Sequence, residues 1–248
     1  MQSSREAVMR RWGWLIHFYT GCGTVAALVA LDYIEHERFR AAFLVMAAAL
    51  FIDATDGSLA RAIAIRRHVP EFDGAMLDNI TDYLNYVLVP VMLMRRARIL
   101  PAGTPGMLIA AFVMLASGYG FCRVDAKTPD HYFRGFPSYW NILALYLFLI
   151  PLPPRCSAII VTVLAVLVFA PIKFIYPSRT LPMRRTTLIF AAIWSVTTFM
   201  LVLRMPQREP LLLGLSLAFV VYYFLASWAL QWLAPPIDPG LVYDESPG

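Results

Sequence analysis

The stretch that decides the fold is FIDATDGSLARAIAIRRHVPEFDGAMLDNITDYLNY, residues 51–86, where one apolar segment ends and the next begins. It carries six of the 16 acidic residues of the chain, namely Asp53, Asp56, Glu71, Asp73, Asp78 and Asp82. Carboxylates are costly beside the apolar interior of a membrane, and those that occur there are usually functional. The stretch therefore indicates a functional site where two apolar segments meet.

The composition of the chain indicates that its solvent is a lipid bilayer. Of 248 residues, 59% are hydrophobic and only 15% are charged, and the mean hydropathy is +0.62. A soluble domain would carry about a quarter charged residues. The apolar runs are continuous and lack the alternation of barrel strands. We predict an all-α, polytopic integral membrane helix bundle that forms a single domain over residues 1–248.

Hydropathy and charge breaks predict about eight transmembrane helices, separated in part by Pro-rich segments. The predicted spans are 14–34, 40–62, 75–94, 101–122, 137–153, 157–175, 186–204 and 210–233. No small-residue cleavage site follows the first apolar run, so no removable signal peptide is expected.

The distribution of the 21 Lys and Arg residues favours cytoplasmic N- and C-termini, because short cytoplasmic loops are enriched in these residues. This orientation places the acidic stretch at the cytoplasmic ends of the second and third spans. The net charge of +5 is then a property of cytoplasmic loops. No basic domain interleaved with aromatic residues is present, so no nucleic-acid partner is expected.

The spacing of four aspartates predicts that they converge. Asp53 and Asp56 are three residues apart, and Asp78 and Asp82 are four apart. Residues at these spacings share one face of a helix. Because the two helices are joined by a short basic linker, we expect them to be neighbours, with both carboxylate pairs at the same depth.

Four clustered carboxylates predict a site for divalent cations, because like charges in a low dielectric cannot all stay ionised without them. Oxygen-only ligands suit Mg²⁺ or Mn²⁺ better than zinc, and paired ions of this kind serve phosphoryl chemistry. Two alternatives stay open at this point. One is an interfacial ion-pair cluster with Arg61, Arg66 and Arg67. The other is a divalent-cation transporter, although the repeats expected of such proteins are not found.

The stretch has the pattern Asp53-x-x-Asp56-Gly57-x-x-Ala60-Arg61, followed by Gly74-x-x-x-Asp78-x-x-x-Asp82. This pattern resembles the signature of the CDP-alcohol phosphotransferases, which are integral membrane enzymes. The gap of residues 62–73 is longer than in most members and is similar to that of the bacterial phosphatidylcholine synthases. The segment CRVDAKTPDHYFRGFPSYWN, residues 122–141, resembles a loop of the same enzymes, and eight spans also agree with them.

The resemblance implies roles for the residues of the motif. Asp53, Asp56 and Asp78 would hold two divalent ions, and Asp82 would complete the second metal site and act as general base. The residues expected to line the CDP site are Gly57, Ala60, Arg61, Gly74 and Thr20. His17 stands where many members have Asn, and it is expected to be an interfacial histidine in preference to a catalyst.

The reaction implied by the resemblance is the transfer of a phosphatidyl group from CDP-diacylglycerol to choline at the bacterial inner membrane. The resemblance also implies a homodimer. Serine, glycerol phosphate or inositol are alternative acceptors. A phosphorylated acceptor would need a basic pocket, for which Arg123, Lys127 and Arg134 are candidates.

Choline itself predicts an aromatic site, because a quaternary ammonium donates no N–H hydrogen bond and is held over aromatic faces beside a carboxylate. The alternative for each aromatic residue is the ordinary aromatic belt at a membrane interface. The candidate choline-binding residues are Tyr83, Tyr86, Asp125, Tyr139 and Trp140.

Overall fold

The computed structural model describes residues 2–126, 128, 132–175 and 184–233, and these are mostly helical. In chain order the elements are α1 (Gln2–Glu35), α2 (Phe39–Ala62), α3 (Ile65–His68), α4 (Gly74–Tyr83), the π-helical segment Leu84–Leu88, α5 (Val89–Arg96), α6 (Thr104–Cys122), β1 (Tyr132–Arg134), α7 (Trp140–Leu149), α8 (Pro154–Leu167), β2 (Lys173–Ile175), α9 (Arg184–Leu203) and α10 (Pro210–Leu233).

Every predicted span contains a helix, which confirms an all-α, polytopic membrane fold. Among the described residues, five helices are long and apolar enough to cross a membrane: Arg5–Glu35, Phe39–Ala62, Thr104–Cys122, Arg185–Leu203 and Pro210–Ala229. The helices α7 and α8 are apolar but shorter. The predicted span 75–94 consists of α4, the π-helical segment and α5.

One predicted boundary is wrong, because the span 157–175 does not stay helical to its end. Helix α8 stops at Leu167, and residues 173–175 form β2, which pairs antiparallel with β1. Pro171 has no N–H to continue a helix. Ile172, Phe174 and Ile175 follow it, and β-branched and aromatic residues favour a strand.

The described chain divides into two compact units. The first comprises Met1–Phe121 and Ser138–Ala165, and the second Cys122–Pro137 and Val166–Gly248. The single catalytic domain over 1–248 stays a prediction.

In the first unit, α1 packs along α2 and also contacts α4 and α5, while α7 packs against α5 and the π-helical segment. Small residues allow these helices to approach closely, and Ala30 and Ala42 are fully buried. A Cβ atom on Gly23 would lie 2.3 Å from Cγ2 of Thr81. Helix α4 is therefore held directly against α1, as is typical of membrane helix packing.

The connection from α2 to α4 is set by two local signals. Ala64 adopts a left-handed conformation with φ 50°, which ends the α2 region because helical geometry cannot continue through it. Asp73 then caps α4, since its carboxylate accepts a hydrogen bond from the Met76 N–H at 3.0 Å. Such a cap stabilises a helix start by about 1 kcal/mol. It sets the register in which Asp78 and Asp82 follow.

The π-helical segment Leu84–Leu88 lies directly after this acidic helix. Pro90 follows it and has no N–H to donate to the Tyr86 carbonyl, so the regular hydrogen-bond ladder is interrupted here. The Asn85 side chain donates to the carbonyl oxygens of Gly23 and Thr81, both at 2.9 Å. Residues 84–88 are thereby fixed against α1.

In the second unit, β2 is held by α10, which also packs against α9. The Ile175 N–H donates to the Ser227 hydroxyl at 3.1 Å, and the Tyr223 hydroxyl donates to the Ile175 carbonyl at 3.0 Å. These bonds satisfy backbone groups that a two-stranded ribbon leaves unpaired.

Candidate functional site

Three of the four predicted aspartates converge as the spacing indicates. Carboxylate oxygens of Asp53, Asp78 and Asp82 all lie within 4.8 Å of one another, and each residue is partly exposed. Asp53 comes from α2, whereas Asp78 and Asp82 lie one helical turn apart on α4. The group, called here the aspartate trio, is thus assembled from two helices.

Tyr86 supports the aspartate trio from the π-helical segment. Its hydroxyl donates to Oδ2 of Asp53 at 2.6 Å, a short hydrogen bond of the charge-assisted kind. Tyr86 lies one turn beyond Asp82, so one chain segment supplies two of the three carboxylates and orients the third.

Asp56 is placed differently from the aspartate trio. It is only 5% exposed, and its carboxylate interacts with the Thr20 hydroxyl and the Gly57 backbone N–H. It also lies within electrostatic range of Asp53. Its role as a fourth metal ligand stays a prediction, and its contact with Thr20 places that residue beside the motif.

The electrostatics of the aspartate trio favour a bound cation. Two ionised carboxylates within 4.8 Å of one another repel by at least about 3.5 kcal/mol at an effective dielectric constant of about 20. A divalent ion converts this repulsion into attraction. The donor set consists only of oxygen atoms, which suits Mg²⁺ or Mn²⁺, so the residues present fit such an ion.

The predicted nucleotide residues of α2 share one face of that helix and follow directly after Asp56. Gly57 and Ala60 are partly exposed and Arg61 is exposed. Arg61 donates to the Ser58 hydroxyl at 3.2 Å, and a Cβ on Gly57 would lie 3.2 Å from its Nη1. Gly57 therefore leaves room for the Arg61 guanidinium, which a side chain at this position would crowd.

Gly74 has a definite steric role, because the His17 ring lies against it. A Cβ atom at Gly74 would lie 2.5 Å from Cε1 of His17. His17 is 7% exposed, its ring centroid is 4.5 Å from that of Phe72, and its Nε2 atom has no hydrogen-bond partner. His17 is therefore a buried neighbour of the motif, and its position at the membrane interface stays a prediction.

The aromatic candidates for choline lie in different surroundings. Tyr83 and Tyr139, like Tyr86, are partly exposed. The Tyr83 hydroxyl donates to the Met114 carbonyl at 2.9 Å. Trp140 is fully buried and donates its indole N–H to the Ser117 hydroxyl at 2.8 Å. In this structure Trp140 therefore offers no accessible ring face to a ligand.

The remaining candidates belong to the second unit. The Asp125 carboxylate accepts hydrogen bonds from Arg123 at 2.7 and 3.1 Å and forms an ion pair with Arg134. These two cations already more than neutralise its single negative charge, so we leave Asp125 out of the proposed choline site. Lys127 lies outside the described residues.

Comparisons with known proteins agree with this geometry. Residues 15–172 match the CDP-alcohol phosphatidyltransferase family, and this range contains the whole motif. A phosphatidylcholine synthase of Legionella pneumophila is 37% identical over 222 residues, which cover 87% of each chain.

Two further relatives cover similar lengths. A phosphatidylcholine synthase of Legionella bozemanae is 40% identical over 84% of this chain and 97% of its own. One of Pseudomonas aeruginosa is 33% identical over 92% of this chain and 97% of its own. The match over residues 15–172 and these identities along most of the chain show that it belongs to the CDP-alcohol phosphatidyltransferase family.

Proposed function

We propose that this transferase moves the phosphatidyl group of CDP-diacylglycerol to choline, giving phosphatidylcholine and CMP. The observation that carries the proposal is the convergence of Asp53, Asp78 and Asp82 within 4.8 Å, inside a motif whose family uses CDP-linked donors. Choline as acceptor is supported by relatives named phosphatidylcholine synthase at 33–40% identity.

Two divalent ions, Mg²⁺ or Mn²⁺, complete the proposed site, held by Asp53, Asp78 and Asp82 with Asp56 as the fourth ligand. Such ions, when bound, neutralise the diphosphate of the donor and stabilise negative charge on the departing CMP. Gly57, Ala60, Arg61, Gly74 and Thr20 line the proposed nucleotide site.

Asp82 is the proposed general base. Its carboxylate takes the proton of the choline hydroxyl, and the choline oxygen bonds to the phosphorus that carries diacylglycerol. The bond from this phosphorus to the CMP oxygen breaks, and CMP leaves with the electron pair. Asp82 suits this task because it lies beside Asp53 and Asp78 and belongs to the trio that would orient the donor.

The rings of Tyr86 and Tyr139 are the proposed choline contacts, with Tyr83 at the end of α4, three residues before Tyr86. Tyr86 and Tyr139 are both partly exposed. Tyr139 directly precedes α7, which packs against the π-helical segment that holds Tyr86.

The proposed location is the bacterial inner membrane, with both termini and the aspartate trio on the cytoplasmic side. Five apolar helices support a membrane location, and the Lys and Arg distribution supports the orientation. Homodimerisation stays a prediction from the family resemblance.

We expect Tyr86→Phe to weaken metal binding, because the Asp53 carboxylate loses the hydroxyl that orients it at 2.6 Å. Loss of such a supporting partner typically lowers metal affinity by about 10–100-fold. Mn²⁺ titration followed by electron paramagnetic resonance measures the binding directly, and CMP release measures the Mn²⁺ concentration needed for half-maximal activity.

Tyr83→Phe is the matched control, since it also removes a tyrosine hydroxyl. This hydroxyl lies three residues before Tyr86 and donates to a backbone carbonyl instead of a carboxylate. The Mn²⁺ affinity of this variant should equal that of the unmodified protein. Equal Mn²⁺ affinities in the Tyr86→Phe and Tyr83→Phe variants would contradict a supporting role for Tyr86.

We expect activity to fall in the order choline, dimethylethanolamine, monomethylethanolamine, ethanolamine. Each methyl group removed takes contacts from an aromatic site, and cation–π attraction in a desolvated site is worth about 2 kcal/mol. The measurement is kcat/KM for each acceptor at saturating CDP-diacylglycerol. Ethanolamine equal to choline would exclude recognition through aromatic faces.

Tyr139→Ala, compared with Tyr119→Ala on α6, tests the location of this site. The first variant should raise the choline KM and leave the CDP-diacylglycerol KM nearly unchanged, whereas the second should change neither. An unchanged choline KM in Tyr139→Ala would remove Tyr139 from the proposed site.

A further inference from the structure

The second unit contains a group of charged side chains for which the proposed reaction has no use. We define the basic cluster as Arg123, Arg134 and Lys173 together with Asp125. Arg123 donates from Nε and Nη2 to the two oxygens of Asp125, and Arg134 pairs with the same carboxylate. The Arg123 side chain is 12% exposed, against 35% for Arg134, so the first side chain is mostly buried and the second is partly exposed.

The β1–β2 ribbon adds the third cation. Arg134 lies directly opposite Lys173 in the antiparallel register, and residues so paired project from the same face. The Lys173 ammonium also lies 5.5 Å from the centre of the Tyr132 ring. Arg134 and Lys173 therefore place two positive charges on one face of the ribbon.

Asp125 organises the basic cluster. The hydrogen bond from Arg123 lowers the pKa of Asp125 to about 2, and Arg134 acts in the same direction. The carboxylate is therefore ionised at neutral pH, and its two oxygens hold both guanidinium groups in set orientations. Planar guanidinium forks held in this way match the oxygens of a phosphate group.

The place of these residues along the chain indicates where their ligand lies. Arg123 follows the last residue of the apolar helix Thr104–Cys122, and Lys173 comes shortly after α8 ends at Leu167. Charged residues at the ends of apolar helices meet the headgroup region of a bilayer. Among the described residues 122–126, 128, 132–137 and 166–175, Asp125 is the only acidic one. Lys127 and Asp130, of opposite charge, lie outside the described residues.

We propose that Arg123, Arg134 and Lys173, arranged by Asp125, form a binding site for the phosphate group of an anionic phospholipid. The site does not depend on which alcohol is the acceptor. It also gives Arg123 and Arg134 a role that requires no phosphorylated acceptor.

The test uses the purified full-length protein in a neutral detergent. Dioctanoyl phosphatidylglycerol is titrated and the shift of the melting temperature is followed, with dioctanoyl phosphatidylcholine and inorganic phosphate in parallel. We expect saturable stabilisation by phosphatidylglycerol and at least about tenfold weaker binding of inorganic phosphate, which lacks the lipid tails. Phosphatidylcholine is the product of the proposed reaction, so any stabilisation that it gives should be the same in the unmodified protein and in Lys173→Gln. Lys173→Gln and Arg134→Lys should each weaken phosphatidylglycerol binding at least about fivefold, since Lys cannot reproduce the guanidinium fork. Arg208→Gln, a substitution of an exposed arginine in the same unit, is the matched control and should bind as the unmodified protein does.

Asp125→Asn separates a built site from general charge attraction. It makes the protein more positive but releases the two guanidinium groups, so we expect weaker phosphatidylglycerol binding. Binding by Asp125→Asn that equals or exceeds that of the unmodified protein would overturn the proposal, because net charge alone would then explain the attraction. Inorganic phosphate binding as tightly as the lipid would overturn it as well, in favour of a site for soluble anions. Because Arg134→Lys keeps the charge and the ion-pair partner, it tests the site even if Asp125→Asn does not fold.

Discussion

Asp82→Asn is expected to abolish turnover while CDP-diacylglycerol binding stays measurable. The introduced amide keeps an oxygen close to Asp53 and Asp78, whose carboxylates lie within 4.8 Å of that of Asp82. The amide cannot, however, accept the proton of the choline hydroxyl. General-base catalysis typically contributes about 10²–10⁴-fold, and kcat for CMP release should fall by at least that factor.

Asp56→Asn should act differently and weaken donor binding, because Asp56 interacts with Thr20 and Gly57.

The matched control for Asp82→Asn is Asp73→Asn, which makes the same chemical change on the same helix. Asp73 caps α4 through the Met76 N–H, and Asn is about as good a cap as Asp. Its turnover should stay close to that of the unmodified protein. If Asp82→Asn retained a rate within about tenfold of the unmodified protein, Asp82 could not be the general base.

Removal of divalent cations is expected to eliminate activity completely. Without them, ionised carboxylates within 4.8 Å of one another repel both each other and the diphosphate of the donor. Dialysis against excess EDTA should reduce CMP release to background, and addition of Mg²⁺ or Mn²⁺ should restore it. Calcium should restore it poorly, since its coordination is larger and looser.

EDTA already saturated with Mg²⁺ is the control, because it contains the chelator but removes no metal that the enzyme needs. Activity should be unchanged in its presence. Full activity after dialysis against EDTA alone would rule out metal-assisted transfer.

Helical periodicity predicted that four aspartates converge, and the structure brings three of them together in the aspartate trio. Asp78 and Asp82 share a face because they are four residues apart on α4, and the short connection after α2 brings Asp53 to them. Hydropathy likewise predicted the apolar helices, except that the span 157–175 includes residues 173–175, which form β2. Helical periodicity and hydropathy are both properties of continuous segments, so they can be read from a single sequence.

Contacts between helices could not be predicted from periodicity or hydropathy. The bond from Tyr86 to Asp53 joins residues 33 positions apart and depends on how α2 meets the π-helical segment. The burial of Trp140 against Ser117 depends in the same way on how α7 meets α6. Spacing could mark these aromatic residues as candidates, but only tertiary packing decides which rings stay accessible.

The ribbon of β1 and β2 shows a second limit. Tyr132–Arg134 and Lys173–Ile175 are three-residue strands separated by two helices, too short to produce a detectable alternation. Lys173 was consequently assigned to the end of a predicted span. The basic cluster depends on the pairing of Arg134 with Lys173, which the sequence pattern does not predict.

Acceptor choice by the purified protein tests the central claim most directly. Labelled choline, serine, inositol and glycerol 3-phosphate are each supplied with CDP-diacylglycerol and Mn²⁺, and lipid product and CMP are measured together. The account predicts that choline gives by far the highest rate, with one phosphatidylcholine formed per CMP released. A higher rate with serine, inositol or glycerol 3-phosphate would contradict the choline assignment and leave family membership intact.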